Sequence, residues 1–230
     1  MQPYFFPYIG YFQLLNAVDE FVIYDNIEFT KKGWINRNRI LVNGNDAFIT
    51  LPLKKDSDFL HVRDRYLADS WDLERKKMLN KLGESYRKAP HFAAVFPLIE
   101  RCILFDDRNL FSLILNSIKE IMNYLDIHST ITISSSISID HSLKSAEKVI
   151  SICKHQKSDT YINPIGGRTL YDPGLFKMHK IDLRFLESDL VEYKQYNNQF
   201  QPWLSIIDVM MFNPINTLQE MVKTKYTLSN

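Results

Sequence analysis

Apolar positions along this chain alternate between helical and strand periods, and each change of period marks an element. Tyr11, Leu14, Leu15 and Val18 recur at i, i+3, i+4 and i+7, which predicts an amphipathic helix early in the chain. Glu20–Asp25 is a short apolar run closed by a polar residue, the pattern of a buried strand ending at Asp25. Asn38–Val42 and Ala47–Leu51 read as two strands joined through Asn43-Gly44-Asn45-Asp46, because Asn-Gly tolerates the positive φ of a tight hairpin. Pro52 then takes the chain out of the sheet, having no N–H for a ladder.

Three helical patterns follow: Ser70 to about Lys88, His91–Leu104 and Asp107–Leu125. Ser70 is the expected cap of the first, with Leu73, Met78, Leu79 and Leu82 as its apolar positions. Leu110, Ile114, Ile118, Ile121 and Leu125 form the core stripe of the third. Thr130–Ile133 restores strand chemistry and ends in Ser134-Ser135-Ser136; Ser142–Cys153 reads as a helix and Thr160–Asn163 as a strand. Tyr171–Lys180 reads as a helix with Asp172-Pro173 as cap and first turn. Ile181–Leu186 alternates as a half-exposed strand, and Val191–Tyr196 is a loop or edge strand. Ser205–Met210 is a short helix with Ser205 and Asp208 on one face, and Pro214–Met221 a final helix with a mobile tail. Strands alternating with helices predict a single α/β domain over 1–230: a mainly parallel, Rossmann-like sheet flanked by helices, with a β-hairpin and a central helical insertion at about 70–126.

Composition narrows the function classes. The chain has 230 residues, 45% of them hydrophobic and 24% charged, enough for a sizeable core. A formal net charge of +1 gives no global attraction to nucleic acid or an anionic membrane. Cys102 and Cys153 both sit in apolar helical patterns, which argues for a reducing compartment and against a cysteine-ligated zinc site. No apolar run reaches membrane-spanning length and no charged n-region opens the chain, so a cytoplasmic protein is expected.

Candidate chemistry concentrates in loops. Met1–Phe12 carries six aromatics, two prolines and Gly10. A rigid aromatic loop feeding a helix N-terminus is a ligand site by its free N–H groups, or a plug of the core. Lys31–Arg39 sets four basic side chains, Asn36, Asn38 and Trp34 around Gly33: cations for a phosphate or carboxylate and a ring to stack on, or a solvated basic hairpin. Pro164-Ile165-Gly166-Gly167-Arg168 lets the main chain approach a ligand and places a cation beside it. Dinucleotide and Walker motifs are absent, as is a G-x-S-x-G elbow, and the six histidines show no metal-ligand spacing. The remaining mixture of Gln, Asn, Tyr, Trp, Lys, Arg and Asp suits a polar, ring-containing, anionic small molecule, bound by orientation and electrostatics with one carboxylate as general base. No cofactor or metal is indicated.

Gln2-Pro3-Tyr4-Phe5-Phe6-Pro7-Tyr8-Ile9-Gly10-Tyr11-Phe12, Asp25, Lys31–Arg39, Ala89-Pro90 and Phe200-Gln201-Pro202-Trp203-Leu204-Ser205-Ile206-Ile207-Asp208 resemble the WbqC-like protein family nearly end to end. Such proteins are encoded among bacterial O-antigen and other surface-polysaccharide genes, and some are labelled glycine or acyl transferases. The resemblance implies transfer of an acyl or aminoacyl group, glycyl included, onto a nucleotide-linked amino sugar. On that reading Lys32, Arg37 and Arg168 hold phosphates, while Trp34 and the N-terminal tyrosines wall the rings. Gln2, Tyr8, Gly10, Tyr11, Asn36, Asn38, Tyr161, Gly167 and Ser205 complete the substrate site, and Asp25 or Asp208 takes the proton from the attacking amine. Family members carry apolar residues before the Gln-Pro as a first strand, so either the start was assigned late, the favoured expectation, or this protein lacks that strand, which would expose the sheet centre. A weaker similarity links Pro7–Phe12 and the triple serine to HIGH-type nucleotidyltransferases, with Tyr11 where they have histidine. Nucleotidyl transfer and non-catalytic sugar binding are the alternatives.

Overall fold

The computed structural model describes residues 1–230. In chain order its elements are α1 (Ile9–Asn16), β1 (Glu20–Ile23), β2 (Arg37–Val42), β3 (Asn45–Thr50), α2 (Trp71–Tyr86), α3 (Phe92–Ile103), α4 (Leu110–Leu125), β4 (Thr130–Ile133), α5 (Ser145–His155), β5 (Thr160–Pro164), α6 (Pro173–Met178), β6 (Asp182–Ser188), α7 (Ile206–Phe212), α8 (Ile215–Thr224) and β7 (Tyr226–Ser229). The fold is α/β. β1 pairs in parallel with β4, β5 in parallel with β6, and β7 joins β6 antiparallel, while β2 and β3 form a separate hairpin. Helices α2, α3 and α4 fall between β3 and β4, where the helical insertion is expected. No helix is long and apolar enough to cross a membrane.

Local chemistry accounts for the elements and for the departures from expectation. The β2–β3 turn is shorter than expected: Asn43 (φ 51°) and Gly44 (φ 82°) make a two-residue loop, and Asn45 already pairs with Val42. Asn109, not Asp107, caps α4, accepting the Ser112 N–H at 3.1 Å. Ser70 precedes α2 with αR backbone angles, so its hydroxyl makes no cap and its carbonyl serves Leu73 and Glu74. The buried face of α2 is Trp71, Met78, Leu82 and Tyr86, and Leu73 lies 58% exposed on the opposite face. The expected mobile tail is strand β7, because the free edge of β6 offers Phe185–Ser188 as ladder partners.

Two apolar clusters form, one on each side of a cleft. The larger gathers α1, β1, the hairpin and the helices α2, α3, α4, α7 and α8. The smaller packs Val149, Ile150 and Cys153 of α5 against Phe176, Ile181, Leu183 and Phe185. Gln13, fully buried, ties the sides together: its amide nitrogen donates to the Met221 and Lys225 carbonyls (3.0 and 2.8 Å), and its oxygen accepts from the Ser188 hydroxyl at 2.6 Å. Met1 lies beside β1 in parallel register, bonding the Val22 carbonyl at 2.7 Å and accepting the Tyr24 N–H at 2.8 Å. Beyond Met1, the facing edges of β1 and β5 line the cleft rather than each other.

Candidate functional site

The site begins with a strained turn. Phe6 is a fully buried non-glycine residue at φ 42°, a conformation that persists only when its surroundings impose it. Here Asn38 donates its amide hydrogens to the Phe5 and Phe6 carbonyls (3.2 and 2.8 Å), and the Ser205 hydroxyl donates to Phe6 at 2.7 Å. Ser205 also caps α7 by accepting the Ile207 N–H, and Ile206 N–H bonds the Pro7 carbonyl at 2.8 Å. The first and last motifs of the chain are therefore one structural unit. Their product is the placement of Tyr8 at the N-cap of α1, with no side chain satisfying that terminus.

That terminus opens onto the cleft between β1 and β5, about 1460 Å³ in volume. Its walls are rich in aromatic residues: Tyr4, Tyr8, Tyr24, Trp34, Tyr161, Tyr171 and Trp203. Burial raises the phenols of Tyr24 and Tyr161, and the neighbouring Tyr171 adds to both shifts, so these two stay neutral hydrogen-bonding groups. The N-terminus of α5, likewise without a side-chain cap, contributes Ser145 and Lys148, whose ammonium lies 5.7 Å from the Tyr24 ring. Arg39 enters from the hairpin, its guanidinium 5.7 Å from the Trp34 ring and bonded to the Trp203 carbonyl at 3.3 Å. Trp203 is itself left-handed, at φ 57°, and stands edge-on to Tyr8 at 6.1 Å. Gly10 keeps the mouth open, since a Cβ there would meet Tyr8 Cε2 at 2.4 Å. Two helix N-termini, two cations and a set of aromatic rings thus line one cleft beside the parallel strands β1 and β5.

The residues picked out in the sequence divide between this cleft and its supports. Gln2, Tyr8, Gly10, Trp34, Asn38, Tyr161 and Gly167 line it. Tyr11 turns into the core, 1% exposed, and its hydroxyl donates to the Gln2 carbonyl at 3.0 Å. Occupying the place of the HIGH-type histidine, it presents nothing to a phosphate. Asn36 is buried and bonds the Leu51 carbonyl. Arg37 points back onto its own loop, bonding the carbonyls of Gly33 (3.1 Å) and Lys32 (2.7 Å), while Lys32 is exposed away from the cleft. Arg168 reaches the Asn230 carbonyl at 2.6 Å instead of the mouth.

Both aspartates lie behind the site. Asp25 is 3% exposed and accepts the Ser135 N–H and hydroxyl (3.0 and 2.6 Å) and the Ser134 hydroxyl (3.0 Å), with Arg63 at 3.6 Å. The triple serine therefore buttresses the ends of β1 and β4. Burial pushes the Asp25 carboxyl up, but the serine hydrogen bonds outweigh it and hold the pKa below the ordinary range. A lowered folded value contributes stability that is fully present above the unfolded pKa of about 3.9 and is lost as pH falls through the folded value. Asp25→Asn is thus expected to flatten the acid limb of the stability profile, as read from urea unfolding across that range. An unchanged limb would count against the buttress. Asp208 is fully buried and accepts from Tyr86 (2.8 Å), Tyr193 (2.7 Å) and Gln195 (2.6 Å). Burial raises its pKa against the pull of those three bonds. Neither carboxylate faces the cleft.

Tyr4, Arg39 and Gly166, from the segments marked in the sequence, also line the cleft, whereas Tyr24, Lys148, Asn163, Tyr171, Glu187 and Trp203 escaped the sequence reading. Strand alternation sends neighbours to opposite faces, so a buried Asp25 at the end of β1 directs Tyr24 to the cleft. Among cleft-lining carboxylates, Asp19, Glu20 and Asp159 lie at the starts of β1 and β5, whereas Glu187 follows Leu186, the partner of Pro164 at the end of β5. Cys153 also lines the cleft, but burial lifts its thiol to about 11, too high for a ready nucleophile. No group of His, Cys, Asp and Glu side chains is arranged to hold a metal ion.

Fold and site together define an α/β protein with a large cleft running between β1 and β5. Its sequence matches the model of the WbqC-like protein family over residues 2–220, and the chain belongs to that family. It is 29% identical over 217 residues to the uncharacterized protein Rv1507c of Mycobacterium tuberculosis (strain ATCC 25618 / H37Rv), an alignment covering 93% of this chain and 91% of the relative. No solved structure matches.

Proposed function

We propose that the protein is a transferase of bacterial surface-polysaccharide biosynthesis that binds a nucleotide-linked amino sugar in the cleft and moves an acyl or aminoacyl group, such as glycyl, onto it. The observation that carries this reading is that one cleft is lined by residues of two uncapped helix N-termini, by Arg39 and Lys148, and by a set of aromatic rings. The termini and cations suit a diphosphate, and Tyr8, Trp34 and Trp203 suit the base and sugar rings. The amino nitrogen attacks the carbonyl carbon of an activated acyl donor, the donor's leaving group departs with its electron pair, and the nitrogen passes its proton to a carboxylate. Glu187 fills that role, because it lines the cleft and has no ion-pair partner. Asp25 and Asp208 act as positioning residues in this scheme.

Calorimetric titration with UDP-N-acetylglucosamine and UDP-linked amino sugars tests binding, and mass spectrometry of the sugar after incubation with activated glycine tests transfer. Gly10→Val forces the Tyr8 ring across the mouth and is expected to weaken nucleotide-sugar binding by about tenfold or more, a loss of roughly 1.4 kcal/mol. Glu187→Gln is expected to keep binding and lose turnover. Saturable binding with no mass increment on any sugar would favour a non-catalytic sugar-binding role.

A further inference from the structure

The hairpin carries the aromatic and cationic lining of the cleft outward, onto Phe48 and Arg37, which lie beyond it. In the β2–β3 register Arg39 faces Phe48 and Arg37 faces Thr50, so these side chains share one face of the hairpin. Trp34 folds over that face, 6.1 Å from the Phe48 ring, and the Arg37 guanidinium lies 4.9 Å over Phe48. Arg39 lies over Trp34, and its bond to the Trp203 carbonyl joins this row to the Tyr8–Trp203 pair at the mouth. The result is a continuous ladder from the mouth outward: Tyr8, Trp203, Arg39, Trp34, Phe48, Arg37. Three of its aromatic residues are open to solvent side by side, at 45% for Trp203, 40% for Trp34 and 47% for Phe48.

The charges on the ladder are only partly met from within. Arg39 pairs with Asp46 at 3.1 Å, yet its Nε is buried with no hydrogen-bond partner. Arg37 bonds only carbonyls and has no carboxylate within ion-pair distance. Open ring faces flanked by planar donors are the chemistry of pyranose recognition: the C–H face of a sugar stacks on the ring while its hydroxyls and acidic groups meet guanidinium. Two cations make too small an electrostatic footprint to hold a nucleic acid strand at physiological salt.

We infer that the Trp34–Phe48 face of the hairpin is a second subsite, which binds further sugar rings of an acidic saccharide whose end lies in the cleft. This rests on the cleft being a nucleotide-sugar site, and it makes the substrate more than a single sugar. The probe is tetragalacturonate, compared with neutral maltotetraose and with oligothymidylate of equal charge, alongside UDP-N-acetylglucosamine for the cleft. Phe48 lies outside the cleft lining, so Phe48→Ala is expected to weaken tetragalacturonate by about tenfold and to leave UDP-N-acetylglucosamine unchanged. Phe48→Tyr, which keeps a ring face, is expected to bind like the natural protein, and matching thermal unfolding of the variants shows that the fold is intact. Equal tetragalacturonate affinity in Phe48→Ala and the natural protein overturns the subsite. So does tighter binding of oligothymidylate, or no tetragalacturonate binding by a protein that takes up UDP-N-acetylglucosamine. Tetragalacturonate binding that depends on Phe48, with no uptake of any nucleotide sugar, overturns the reading of the cleft and leaves the acidic-saccharide surface standing.

Discussion

Asp208→Ala is expected to lower stability by about 4 kcal/mol, because three donors lose their acceptor in a dry part of the core. The hydroxyls of Tyr86 and Tyr193 and the amide of Gln195 all end on this carboxylate, and the Tyr86 oxygen in turn accepts the Leu41 N–H of β2 at 2.9 Å. One side chain thus fastens α7, the end of α2, the hairpin and the loop before Trp203. For a chain of this length the loss corresponds to a fall in Tm of about 8–16 °C. Tyr193→Phe removes one donor and leaves the carboxylate two others, so it is expected to cost only about 1–2 kcal/mol. The pH dependence has a definite sign. The Asp208 carboxyl is raised by burial in the folded state, so its contribution is largest below the unfolded pKa of about 3.9 and declines as pH rises through the folded value. The gap between the natural protein and Asp208→Ala should accordingly be widest in acid, as urea unfolding at a series of pH values would record. A change smaller than about 1 kcal/mol would mean that the network closes up without its acceptor.

The periodic parts of the chain were legible because burial writes them into the sequence. Leu110, Ile114, Ile118, Ile121 and Leu125 are all buried on α4, and Asn-Gly makes the predicted kind of turn. The same rule, applied consistently, would have kept Tyr11 out of the site: it belongs to the apolar stripe of α1, and the stripe faces the core. Charged residues were harder to place. Arg37 looks like a phosphate clamp in the sequence, but the tight turn at Gly33 leaves two carbonyls within reach of its own guanidinium. Arg39, two residues on, has the same chemistry and reaches the cleft. Nothing local separates the two, since the distinction depends on Trp203, which is 164 positions away.

The two distinctive motifs were legible as a resemblance, but their division of labour was not. Ser205 and Asp208 stand in a conspicuous motif, and both serve to hold other groups in place. Trp203, in the same motif, is the residue that meets the cleft, delivered by a left-handed backbone that no propensity predicts for tryptophan. Phe6 and Trp203 are both left-handed, and the hairpin bonds each of them, Asn38 to the Phe6 carbonyl and Arg39 to the Trp203 carbonyl. The hairpin is therefore the jig on which the two ends of the chain are set.

Asn38→Asp tests that arrangement most severely, and it is expected to cost on the order of 3 kcal/mol near neutral pH. The substitution preserves shape and reverses one polarity. The Asn38 amide nitrogen, 5% exposed as a residue, donates to the Phe5 and Phe6 carbonyls, while its oxygen already accepts the Arg39 N–H at 2.8 Å. A carboxylate would set an acceptor against two acceptors in a buried place. Protonation restores one donor, so the folded state raises the new carboxyl's pKa above the unfolded value of about 3.9. The variant is therefore expected to be most stable below that value and to weaken as pH rises, an acid-favouring limb absent from the natural protein at this position. Ser205→Ala is the milder control: Phe6 keeps its bond from Asn38, and the loss of the Ser205 bond and helix cap should cost about 1–2 kcal/mol. At a temperature where Asn38→Asp is still folded by near-ultraviolet circular dichroism, nucleotide-sugar affinity should also fall about tenfold, because a relaxed Phe6 no longer delivers Tyr8 to the start of α1. If Asn38→Asp matches the natural protein in both Tm and affinity near neutral pH, the turn is held by the packing of Phe5 and Phe6 alone, and the hairpin is not what sets the mouth.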